Sequence, residues 1–200
     1  MVSKAEKLVD FFKRQKGVAR FSAILKAGFH PDTLLSLEKK GVVEKIGRGL
    51  YKLQESPALS NPDLVVAALK VPKGVICLVS SLSFHEATDE IPHYVDLAIP
   101  RGARANKIDF PPVRYYRFTP ETWKAGIEEH KIDGHVVRVY NLAKTVADCF
   151  KFRNKIGTDI ARGALKLAVT EKRISSKEIM RFSKICRVAR IVKPLLETLI

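Results

Sequence analysis

The chain has 200 residues, 46% hydrophobic and 28% charged, which suits one large or two small folded domains and excludes wholesale disorder. Its 36 Lys and Arg against 21 Asp and Glu leave a formal charge of +15, which favours a polyanionic partner such as nucleic acid or acidic lipid. No apolar run approaches the roughly 20 residues of a membrane span, and the start lacks the apolar core of a secretory signal, so a cytoplasmic protein with no membrane partner is expected.

The charge is unevenly spread. Residues 1–53 hold 12 basic and 5 acidic side chains, residues 54–139 hold 10 and 11, and residues 140–200 hold 14 and 5. Two basic ends flank a neutral centre.

In chain order, Lys4 to Gln15 reads as an amphipathic helix, with Ala5, Leu8, Phe11 and Phe12 at helical spacing. Ser22 to Ala27 follows as a short helix capped by Ser22 and closed by Gly28, and Gly28-Phe29-His30 forms a turn. Pro31 suits the first position of a third helix running to Lys40, because its missing N–H would have no partner there. In that helix Leu34, Leu35 and Leu37 are expected to point inward, leaving Asp32, Thr33, Ser36, Lys39 and Lys40 on or near the open face. Gly41 ends it. Val42 to Ile46 and Leu50 to Leu53 then read as two strands around Gly47-Arg48-Gly49, a hairpin with a basic tip. Three helices and a hairpin in this order predict a winged helix-turn-helix over residues 1–55.

Gln54 to Pro62 is rich in turn formers and marks a boundary, with a second domain over residues 60–200. Asp63 to Val71 reads as a helix, and the apolar stretch Gly74 to Ala87 as another. Tyr94 to Ile99, Val113 to Phe118, Ile127 to Lys131 and His135 to Tyr140 read as strands of a mixed sheet. From Asn141 the pattern is helical, and Pro194 should either kink the last helix or start it. The fold class expected is α+β: an N-terminal winged helix-turn-helix, then a mixed α/β domain ending in a helical C-terminal part.

Cys77, Cys149 and Cys186 are odd in number and widely spaced, so they read as small buried apolar residues and not as zinc ligands. Neither a catalytic set nor a cofactor or metal site emerges. Ser80, Ser81, Ser83 and His85 lie close together without the glycine elbow of a nucleophile. The five histidines lack metal-site spacing. The rival enzymatic reading is a metal-dependent nuclease built on Glu129-His130-Lys131 with Asp96 or Asp109 upstream, but composition alone supplies such a triplet by chance.

The winged helix carries the candidate DNA contacts. Thr33, Ser36 and Lys40 would approach base edges or phosphates in the major groove, Lys39 would add charge, and Lys45 and Arg48 of the wing would reach phosphates or the minor groove. A second basic surface is expected on the C-terminal helices from Lys151, Arg153, Lys155, Arg162, Lys166, Arg173, Arg181 and Lys184. Its role is open between extra DNA contact and another task.

Three stretches together resemble the AbiEi antitoxins of abortive-infection (type IV) toxin–antitoxin systems: Leu34 to Tyr51, then Gly74 to Pro92 with Val95 to Gly102, then Val139 to Phe150 continuing to Gly157. Lys144 stands where the resemblance would lead one to expect an arginine. The resemblance implies a repressor bound to double-stranded DNA of its own promoter at inverted repeats. It also implies a C-terminal domain that counters a nucleotidyltransferase toxin without a stable complex. A stand-alone winged-helix regulator, and a C-terminal half that binds its target directly, remain alternatives.

Overall fold

The computed structural model describes residues 3–105 and 107–199, so positions 1 and 2 of the opening segment lie outside it. The first part contains helix α1 (Lys4–Arg14), strand β1 (Val18–Arg20), helices α2 (Phe21–Lys26) and α3 (Pro31–Lys39), and strands β2 (Val43–Gly47) and β3 (Leu50–Leu53). Ser3 and Glu6 cap α1 reciprocally, each side chain accepting the other's backbone N–H. Leu8 and Phe12 of α1 are buried with Ile24, Leu34, Leu37, Val43 and Leu53 in one small core.

Strand β1 was not legible in the sequence. It pairs antiparallel with β3, giving a sheet of order β1-β3-β2. It also displaces the expected cap of α2. The chain runs from β1 into the helix at Arg20, the Phe21 N–H goes to the Gly49 carbonyl at 2.9 Å, and Ser22 makes no capping bond.

The remainder continues through α4 (Pro62–Lys70), β4 (Val75–Ile76), α5 (Leu78–Phe84), β5 (Val95–Pro100), β6 (Val113–Phe118), α6 (Pro120–Lys124), β7 (Ile127–Ile132) and β8 (His135–Tyr140). The helices α7 (Leu142–Lys151), α8 (Arg153–Ile156), α9 (Thr158–Thr170), α10 (Ser176–Ile185) and α11 (Ala189–Glu197) complete it. The five-stranded sheet has the order β6-β5-β4-β8-β7 and is mixed: β5–β6 and β4–β8 are parallel, β4–β5 and β7–β8 antiparallel. The α+β class and the mixed sheet read from the sequence are what the fold contains.

The stretch Gly74 to Ala87 is not one helix. Val75 and Ile76 form the central strand, fully buried against Ala98, Leu97 and Val139, and α5 begins with a reversal at its first residue, Leu78, whose φ is +46°. An apolar run buried on every side has no polar period, so strand and helix look alike in it. The Asp96 carboxylate accepts the Val79 and Ser80 N–H groups at the start of α5, and the Asp96 N–H donates to Ser80 Oγ at 2.9 Å, tying α5 to β5. Pro194 neither starts α11 nor ends it; it falls inside the helix.

Helix α7 is buried from Leu142 to Phe150, and α5, α9, α10 and α11 pack against it. Within it the fully buried Lys144 ammonium pairs with Asp148 one turn on. The ammonium lies 4.1 Å from the Tyr140 ring centre and 4.8 Å from that of Phe118, and the Cys186 thiol donates to the other Asp148 oxygen at 3.2 Å. All three cysteines are buried and free.

Two outcomes follow. Asp148→Ala strands the Lys144 charge in the core and should cost about 3–5 kcal/mol in urea unfolding, whereas Lys144→Met with Asp148→Leu should recover most of that loss. Burial pushes the Asp96 carboxyl up to about 6. The fold therefore holds this proton more tightly than the unfolded chain does, and Asp96 contributes stability that is full in acid and is lost as pH rises through about 6. Relative to Asp96→Asn, the wild type should gain stability between about pH 7 and pH 4; a constant difference would contradict the assignment.

Candidate nucleic-acid interface

The turn that aims α3 is built from backbone chemistry. Gly28 at φ +85° ends α2, where a side chain would be strained. His30 Nδ1 then accepts the Asp32 N–H at 3.3 Å, and Pro31 opens α3. Leu34 and Leu37 are buried against α1. With about 100° of rotation per residue, the opposite stripe is Asp32, Leu35, Ser36 and Lys39.

All four are exposed, and Leu35 at 49% corrects the expectation that it points inward. The two leucines three residues apart already fill the inner face, and Leu35 lies beyond its edge. Thr33 is half-buried on the flank of the stripe, and Lys40 is exposed at the end of the helix. Asp32, not among the expected DNA contacts, carries a carboxylate 3.2 Å from His30 Nδ1.

The wing is the β2–β3 hairpin, irregular between Lys45 and Gly47 and closed by Arg48 and Gly49, the latter at φ +68°. Lys45 and Arg48 are exposed, while Lys52 turns back to Glu44 at 3.5 Å. Among the described residues Lys39, Lys40, Lys45 and Arg48 form no ion pair.

The hairpin leans on α4. Val18, Leu50 and Val66 form a buried cluster flanked by Ile46, Leu59 and Leu69. A Cβ built on Gly47 would come within 2.6 Å of Lys70 Nζ, which donates to the Phe110 carbonyl at 3.1 Å. Ser60 donates from its N–H and hydroxyl to Asp133 at 2.8 and 3.1 Å, fastening the connecting stretch to the β7–β8 turn.

The second set of basic residues is divided. Lys151 stands over Phe118, Lys155 over Tyr116 and Phe152, and Arg181 over Phe182, while Arg153 donates to the Phe150 carbonyl. Arg162 and Lys166 on α9, Arg173 after it and Lys184 on α10 are exposed. Helices α9 and α10 both rest on α7.

The nuclease triad is not brought together. Glu129 lies on the edge strand β7 bonded to Arg138 at 3.0 Å, Asp96 is on β5 with β4 and β8 between them, and Asp109 lies near Lys70. Among the described residues no group of three His, Cys, Asp or Glu side chains could hold a metal ion. Nor is any described helix long and apolar enough to cross a membrane.

Residues 6–54 match a family model described as a transcriptional regulator, AbiEi antitoxin. The matched segment is the winged helix, so over those residues the chain is similar to the AbiEi antitoxin regulators. This match bears out the AbiEi resemblance read from the sequence over its first stretch, Leu34 to Tyr51. A search of curated proteins found no match. Among solved structures, the crystal structure of the RV2827C protein from Mycobacterium tuberculosis superposes with a TM-score of 0.61 at 13% identity, covering 97% of this chain and 80% of that one. At that identity the likeness is one of fold, and it extends beyond the AbiEi segment through the sheet and C-terminal helices.

Proposed function

We propose that this protein is a DNA-binding autorepressor and the antitoxin of a type IV toxin–antitoxin pair, and that it works by binding and not by catalysis. Two parts divide the work: residues 1–55 grip double-stranded DNA at inverted repeats in its own promoter, and residues 60–200 counter a nucleotidyltransferase toxin without a stable complex. The observation that carries the DNA half is the set of exposed, unpaired cations Lys39, Lys40, Lys45 and Arg48 around α3 and the wing. Unpaired cations at that spacing have a phosphate backbone as their natural partner. In this reading Ser36, with Thr33 beside it, meets the groove, Lys39 and Lys40 meet the backbone at the end of the helix, and Lys45 and Arg48 clamp the flanking strand. The AbiEi match over residues 6–54 supports the regulatory reading.

The test is a salt titration of binding to the chain's own promoter DNA. Each phosphate contact removed should flatten the log–log salt slope by about 0.9, so Lys40→Ala with Arg48→Ala should flatten it by about twice that. An unchanged slope and affinity would sink the repressor reading. For the antitoxin half, Arg162→Ala with Lys166→Ala should reduce rescue of cells expressing the neighbouring toxin while leaving promoter binding intact. Recovery of a stable one-to-one complex with the toxin would contradict the indirect mechanism.

A further inference from the structure

We propose that Leu35 is the specificity-determining residue of the recognition helix α3, packing on the C5-methyl group of a thymine in the major groove. The inference rests on the DNA-binding reading above and deepens it. Leu35 is 49% exposed and stands apart from the apolar side chains that pack around the winged-helix core. A lone exposed leucine needs no explanation in general. This one belongs to the exposed stripe Asp32, Leu35, Ser36 and Lys39, on the face of α3 turned away from Leu34 and Leu37.

Its neighbours fix what that stripe can face. The Asp32 carboxylate is 81% exposed, and a phosphate beside it would be repelled. The N-terminal turns of α3 must therefore meet base edges, where a carboxylate can accept from a cytosine amine. The cations follow later, at Lys39 and Lys40, where the helix leaves the groove. On the base edges of the major groove the thymine methyl is the one apolar feature, and it distinguishes thymine from cytosine without a hydrogen bond. The Ser36 hydroxyl both donates and accepts, so it can bond to several bases, and neither it nor the lysines read the methyl group. Leu25 is also exposed, but it lies on α2, the helix that in this motif crosses the backbone.

The test uses full-length protein and duplexes selected from a randomised pool. Each thymine is replaced in turn by deoxyuridine, which removes only the methyl group. At one thymine or more the replacement should weaken wild-type binding roughly fourfold, the loss expected for one buried methyl. Leu35→Ala should bind the thymine and uracil duplexes equally, Leu35→Met should keep the preference, and both should keep the wild-type salt slope. If no thymine is sensitive, or if Leu35→Ala retains the sensitivity, the proposal is overturned while salt-dependent binding leaves the repressor reading standing. If Leu35→Ala instead changes the sedimenting mass, Leu35 is a contact between copies and the proposal again falls. Failure of the wild type to select any duplex overturns both.

Discussion

An ammonium group in an apolar core is tolerable only where a carboxylate meets it directly, and the Lys144–Asp148 pair satisfies that condition at the centre of this fold. Because both groups lie on α7, one turn apart, the helix must be intact for the pair to exist. The pair draws in neighbours from three directions. Tyr140 and Phe118 offer ring faces from the sheet, Cys186 offers a thiol from the end of α10, and Gly126 approaches so closely that a Cβ there would lie 2.7 Å from Lys144 Cβ. Sheet, central helix and C-terminal helices are thus referred to one buried ion pair. An apolar pair of similar volume would give comparable stability with less directional demand.

The winged helix is joined to this body by a different kind of bond. Val18, Leu50 and Val66 give a short apolar seam, and beside it His135 of the body is hydrogen-bonded to the Lys16 backbone of the winged helix. Apolar contact is indifferent to direction, whereas a hydrogen bond is not, so the seam supplies adhesion and the Lys16–His135 bond supplies orientation. Helix α3 packs into the winged-helix core through Leu34 and Leu37, and none of its residues belongs to the seam.

Most of the winged helix was legible because its signals are local. Pro31, Gly28 and Gly41 punctuate α3, and the β-branched run Val42-Val43 announces the wing. The helical tail was legible for the same reason, since amphipathic spacing persists through α7, α9 and α10. What failed was non-local. The three-residue strand β1 exists because β3 offers it an edge, and Val75-Ile76 is a strand because β5 and β8 flank it on either side. Leu35 was read as core because three leucines in four positions resemble an apolar face, although α1 covers only Leu34 and Leu37. The seat of the wing on Lys70 had no sequence signal, because the two residues are brought together only by the packing of α4 on the hairpin.

The wing's tip also limits how such a protein could acquire a new target. At Gly47 a side chain can enter only by swinging the Lys70 ammonium off the Phe110 carbonyl, and at Gly49 it must accept a left-handed backbone. Arg48 is left as the single position at the tip open to change without disturbing its surroundings. On the outer stripe of α3, by contrast, no side chain is committed to the interior. Drift in DNA preference among descendants of this chain would therefore accumulate on the helix, while the hairpin stayed a fixed anchor with one interchangeable side chain.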